Sequence, residues 1–220
     1  MNPCQGVIIR SEYLDKIGKA VSRRYDIEHD LKEVEAMIES LNSYVRGDAL
    51  YGNVGGGGMF AKSNMARLTI GGLTMRFRRL HQLSAHLNDE QLLRLQEAHA
   101  GNQDVMHEWH LHYEKKMLRE AKSRLNAMST FFTECKTEPE TAAHIYGPEA
   151  LRRTIVQELF IAMKDYGIDS GDLQKQMMVV DNRLRDVIEP CAFIWDDLLQ
   201  PLYSEDDFWW LYGSPAAQGK

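Results

Sequence analysis

The stretch QDVMHEWHLHYEKKMLREAKSRLNAMSTFFTECK, residues 103–136, decides the fold class. Leu111, Leu118, Leu125 and Phe132 recur every seven residues, and Glu114, Ala121, Met128 and Cys135 fall between them. Alternating steps of four and three hold a stripe on one side of a 3.6-residue helix, whereas a strand would alternate by two. The spacing predicts one long helix over 103–136, with Lys115, Lys116, Arg119 and Lys122 on its solvated face.

The same stretch holds the densest histidine cluster in the chain. At about 100° per residue, His107, His110 and Glu114 share the arc of Leu111 and Leu118, while His112 and Glu108 project to the polar side. Two imidazoles and a carboxylate on a core-facing arc are a donor set for a transition metal, or a buried acid–base group. Di-metal bundles draw on Glu-x-x-His motifs from facing helices. None occurs here; Asp-x-x-His occurs as Asp26–His29 and Asp104–His107. The second half of a metal site is missing, so capping or ion pairing is the plainer role for these histidines.

Working toward the N-terminus, a second seam runs through Tyr13, Ile17, Ala20, Ile27, Leu31, Val34, Ile38, Leu41 and Val45, broken at Arg24. With Ser11 as N-cap it predicts a helix over 12–46, about 50 Å long at 1.5 Å per residue. Gly47 is placed to end it through a left-handed cap. GDALYGNVGGGG, residues 47–58, reads as a flexible connection. Lys62-Ser63 sit where a phosphate loop would place its Lys-Ser. Ala61 replaces the motif's last glycine and no buried strand precedes it, so the required strand–loop–helix context is absent.

A third seam, Ala66, Ile70, Leu73, Phe77, Leu80 and Leu87, predicts a helix over 60–87, with Gly71-Gly72 in its interior. Residues 59–88 carry Lys62, Arg67, Arg76, Arg78 and Arg79 and no Asp or Glu. That asymmetry suits contact with a phosphate backbone or an acidic partner, unless neighbouring acidic helices neutralise it. Asn88 with Gln91 makes a capping box for a short following helix.

Beyond residue 136, a connector around Pro139 leads to a helix start at Gly147-Pro148-Glu149. A helical hairpin over 148–188 follows, with Gly167 stopping its first arm and Asp169 or Ser170 capping its second. The segment from Cys191 onward is different in kind. Phe193, Trp195, Tyr203, Phe208, Trp209, Trp210 and Tyr212 are seven of the chain's twenty aromatic residues. They read either as a lid on the bundle or as a docking patch, with Trp195, Phe208, Trp209, Trp210 and Tyr212 as the contact residues. Adjacent Trp209 and Trp210 cannot both face one core from a helix.

Composition narrows the class. With 220 residues the chain can bury one substantial core, and a net charge of −6 gives no global drive toward nucleic acid. Cys4, Cys135 and Cys191 form neither a disulfide framework nor a zinc signature, which points to a reducing, cytoplasmic setting. No run approaches the roughly 20 apolar residues of a membrane span. The sequence therefore predicts an elongated all-α bundle of five or six helices over 1–190, closed by an aromatic tail over 191–220. It predicts no cofactor. The leading functional expectation is a non-enzymatic interaction or scaffold subunit, associating with a protein partner or with itself. The alternatives are a nucleic-acid-associated subunit using 59–88 and a metal-binding bundle using His107, His110 and Glu114.

Overall fold

A computed structural model describes residues 24–54, 65–137 and 139–215. Among them are six α-helices: α1 Ile27–Arg46, α2 Ile70–Gln82, α3 Asp89–Glu108, α4 His110–Thr137, α5 Pro139–Asp165 and α6 Gly171–Arg185. The chain is an all-α bundle with an aromatic C-terminal cluster, as its periodicity predicts. No helix among the described residues is long and apolar enough to cross a membrane.

Of the predicted 12–46 helix, the described residues show the part from Ile27 to Arg46. Asp26 takes the cap position and its carboxylate accepts the His29 backbone N–H at 3.1 Å. Arg24 and Tyr25 lie outside the helix, and the Tyr25 backbone N–H donates to the Asp196 carboxylate at 3.0 Å. Leu31, Val34, Leu41 and Val45 of the predicted seam are buried. Ser11, Tyr13, Ile17 and Ala20 lie outside the described residues. Gly47 does end α1, but with φ −79° it is extended and makes no left-handed cap.

The 60–87 prediction shortens. Thr69 caps α2, accepting the Gly72 N–H at 3.0 Å, and Leu68 exchanges two backbone hydrogen bonds with Gly52 instead of continuing the helix. Gly71-Gly72 therefore occupy the first turn of α2, not its interior. There they allow close approach. A Cβ on Gly71 would lie 2.6 Å from Ile155 Cγ2 and 2.8 Å from Leu159 Cγ of α5. Leu73, Met75, Phe77, Arg79 and Leu80 are all buried, and α2 is surrounded by α1, α4 and α5.

The helix predicted over 103–136 is two. It breaks at Trp109, whose φ −121° and ψ 35° leave the helical range. Downstream of the break the predicted stripe holds, with Ala121, Leu125, Met128 and Phe132 buried. Nearer the break it does not. Tyr113 and Met117 take the core positions, Leu111 is turned outward, and Lys116, predicted on the solvated face, is buried. The Asn88–Gln91 capping box forms as predicted at the start of α3.

Pro148 lies inside α5 and does not begin it. Proline lacks only one donor, and packing against α4 and α2 carries the helix across that gap. Gly167, at φ +70°, ends the first arm of the hairpin. After α6 the chain makes a strand, β1 Ile188–Pro190, pairing antiparallel with β2 Gly213–Pro215. Between them run two 3-10 turns, Asp197–Leu202 and Trp209–Tyr212. Tyr203, Phe208, Trp210 and Leu211 from this segment are buried, so it forms part of the core.

Candidate functional site

The most heavily charged interior region lies where α1, α2 and the C-terminal segment meet. Asp30 and Glu33, one turn apart on α1, are both buried and face Arg76 and Arg79 of α2. Arg76 Nε donates to Glu33 at 2.6 Å, and its Nη2 pairs with the same carboxylate. The other oxygen of Glu33 accepts the Ala66 backbone N–H at 2.8 Å. Arg79 Nε donates to the Tyr203 hydroxyl at 2.8 Å, and its guanidinium lies 4.8 Å from the Trp195 ring centre. Arg78 reaches the other way, donating to Glu158 of α5 at 2.9 Å and to the Leu202 carbonyl at 3.1 Å.

Burial sets the proton affinities here. It pushes the Glu158 carboxyl upward, opposed by the Arg78 charge. Burial, with the Asp30 carboxylate adding to it, pushes the Tyr25 phenol upward. For Arg79 burial acts against the cation, but Tyr203 and Asp30 outweigh it and raise its proton affinity. A buried ion pair of this kind orients elements more than it stabilises them, because desolvation cancels much of the attraction.

This network corrects the expected nucleic-acid surface. Arg76, Arg78 and Arg79 turn inward and are neutralised by acids on α1 and α5. Arg67 is exposed, and Lys62 lies outside the described residues. The arginine run is basic because its partners, Asp30, Glu33 and Glu158, lie far away in sequence.

The expected metal arc does not form. The break at Trp109 puts His107 at the end of α3 and His110 at the start of α4, both exposed, with Glu114 half-buried. Among the described residues no three His, Cys, Asp or Glu side chains gather in a way that could hold a metal ion.

The aromatic docking set divides. Phe208 and Trp210 are core residues, not available to a partner. Tyr146 donates its hydroxyl to the Trp210 carbonyl at 2.6 Å, and Trp210 Nε1 donates to Thr154 Oγ1 at 3.0 Å. Trp195, Trp209 and Tyr212 are half-buried; the Arg185 guanidinium sits 4.2 Å from the Trp209 ring centre. Of the two neighbouring tryptophans, one faces the core and one does not, as the sequence requires.

Several polar positions carry no sequence signal strong enough to find them. Glu120 on α4 is fully buried, accepting the Gly71 N–H of α2 at 2.9 Å and the Arg124 Nε–H at 2.8 Å. The carboxylate thus occupies the positive end of α2. Lys116 lies 4.2 Å from the Tyr44 ring centre, with its amine on the Ala49 carbonyl; burial, then Arg119, pushes that amine down.

On the surface, two features stand out. Leu93, Leu111, Met178 and Val179 are 55%, 66%, 63% and 53% exposed. Lys115, Arg119 and Lys122 form an exposed basic row along α4, and no ion pair engages them among the described residues. In comparisons with known proteins, no family model, no curated protein and no solved structure matches the chain.

Proposed function

We propose that this chain is a non-enzymatic helical interaction subunit, binding a protein partner or a second copy of itself through the outer faces of its helices. One observation carries the reading: four large apolar side chains are each more than half exposed, and Met178 and Val179 are adjacent on α6. Exposed apolar side chains that lie side by side, as Met178 and Val179 do, are where a protein partner can bury area. The consumption of the arginines of α2 by internal acids supports it too, since those charges act in holding the fold. The scattered, odd-numbered cysteines support a reducing, cytoplasmic setting.

Light scattering on the full chain tests this, with Met178→Glu/Val179→Lys and Leu111→Glu as variants. Self-association predicts a mass above the 25.3 kDa of one chain, falling to the monomer in a variant. A separate partner predicts a protein that co-purifies with the wild type and is lost from the variant. A monomeric wild type whose co-purifying proteins match those of both variants overturns the reading.

A second reading makes nucleic acid the partner, through Lys115, Arg119 and Lys122 on α4 instead of residues 59–88. Its support is the exposure of that row, which no ion pair engages among the described residues, Arg119 reaching only the Asp48 carbonyl at 3.3 Å. Binding of a labelled oligonucleotide should then fall steeply between 50 and 200 mM salt and vanish when all three become glutamate. Equal binding by that triple variant eliminates this surface.

A further inference from the structure

His81 of α2 and His99 of α3 meet with ring centres 5.1 Å apart and planes at 85°. Phe77 lies 5.9 Å from His81 and 5.5 Å from His99, and it is buried among them. The two imidazoles therefore cover an aromatic ring on the central helix. Nε2 of His99 lies 3.3 Å from the Gln103 amide nitrogen, and Nδ1 is buried with no hydrogen-bond partner. With the amide donating to Nε2, the neutral ring carries its proton on Nδ1.

Among the described residues no ion pair joins a carboxylate to either ring. Burial and the His99 ring act against a charge on His81, and only a hydrogen bond to the Phe77 backbone favours it. The neighbouring cations of α2 are already held, Arg78 by Glu158 and Arg79 by Asp30. The acids of α1 that reach α3, Glu28 and Glu35, are bound to Arg94, more than a turn away from His99. Where α1 meets Gly101 of α3, it presents the apolar Ile38.

We propose that His81 and His99 form an acid-sensitive latch: when both rings are protonated, the α2–α3 contact opens and Phe77 is uncovered. The sign follows from linkage. His81 binds its proton less readily in the closed state than in an open one, so closure is favoured at pH 7. That preference is lost as pH falls below the ordinary histidine value of about 6.5. The opening is local. α3 stays tied to α1 because Arg94 grips Glu28 and Glu35, and the hydrogen bond from Gln91 with those from Arg94 holds the Glu28 carboxyl below its ordinary range. Acid thus adds one aromatic to the exposed apolar surface without unfolding the bundle.

Amide exchange on the full chain, read as protection factors at pH 7.5 and pH 5.5, tests the latch. Protection over residues 96–103 should drop at the lower pH, where the closed state loses its advantage. α5 should be unchanged. His99→Phe and His81→Gln should each flatten the response. Because the His81 ring is only partly covered, His81→Gln gives a decision even where His99→Phe disturbs packing. Equal wild-type protection at both pH values overturns the proposal, as does a pH response that His81→Gln leaves intact.

Discussion

Arg153 lays its guanidinium 3.9 Å from the centre of the Trp210 ring while gripping Asp181 with hydrogen bonds of 2.6 and 2.9 Å. One side chain of α5 thus joins α6 to the C-terminal segment. All three groups are buried or nearly so, and none contacts a group outside the fold's own framework. The aromatic segment that resembles an appendage in sequence is thereby tied into the core.

Arg153→Met should destabilise the protein by about 3–5 kcal/mol, because Asp181 is left buried and unpaired. Adding Asp181→Leu should recover most of that loss, since an apolar pair of similar volume replaces a costly ionic one. Urea denaturation of the two variants measures it. A double variant as weak as the single one would show that the ion pair itself, and not the orphaned acid, sets the cost.

Ending the chain after residue 190 should abolish cooperative unfolding. It removes Tyr203, Phe208, Trp210 and Leu211, all buried, and the strand that pairs with β1. Thermal melting by circular dichroism, together with binding of a hydrophobic dye, reads the outcome. A sharp transition at the full chain's temperature would mean the segment is dispensable.

Gly71→Ala should cost about 1–3 kcal/mol, as overpacking does, because the new methyl meets Ile155, Leu159 and Glu120 within 3 Å. Gly167→Ala meets no neighbour but must hold φ +70°, so it should cost about 1–2 kcal/mol for conformation alone. Denaturation midpoints separate the two. No loss in Gly71→Ala would show that α2 and α5 can move apart freely.

Glu28 supplies a pH signature. Hydrogen bonds from Gln91 and Arg94 hold its carboxyl below the ordinary value. A depressed carboxyl stabilises the fold above its unfolded value and loses that contribution as pH falls through the folded one. Glu28→Gln should therefore lower the melting temperature at pH 7 by more than it does in acid, where the wild-type carboxyl is protonated too. An equal difference at pH 7 and in acid would assign the effect to shape and not to charge.

Helix content, the capping box at Asn88 and the stop at Gly167 were legible because each depends on neighbours within four residues. The break at Trp109 was not. The apolar seam starts only at Leu111, with Asp104 and His107 one heptad before Leu111 and Glu114, so periodicity carries no information about the backbone at the break. The site expectations failed for the same reason in two forms. His107, His110 and Glu114 share an arc only on an unbroken helix. Arg76, Arg78 and Arg79 look unneutralised only while Asp30, Glu33 and Glu158 are counted as distant. Charge compensation across 43 to 80 residues is a tertiary property, and so is burial of Phe208 and Trp210 against α5.

The pairing of β1 with β2 also sets an order in time. During synthesis the helices emerge first, yet the gap beside Arg153 and Thr154 stays open until residue 210 has left the ribosome. The nascent bundle therefore carries an unfilled core position until Trp210 arrives to pack beneath Arg153.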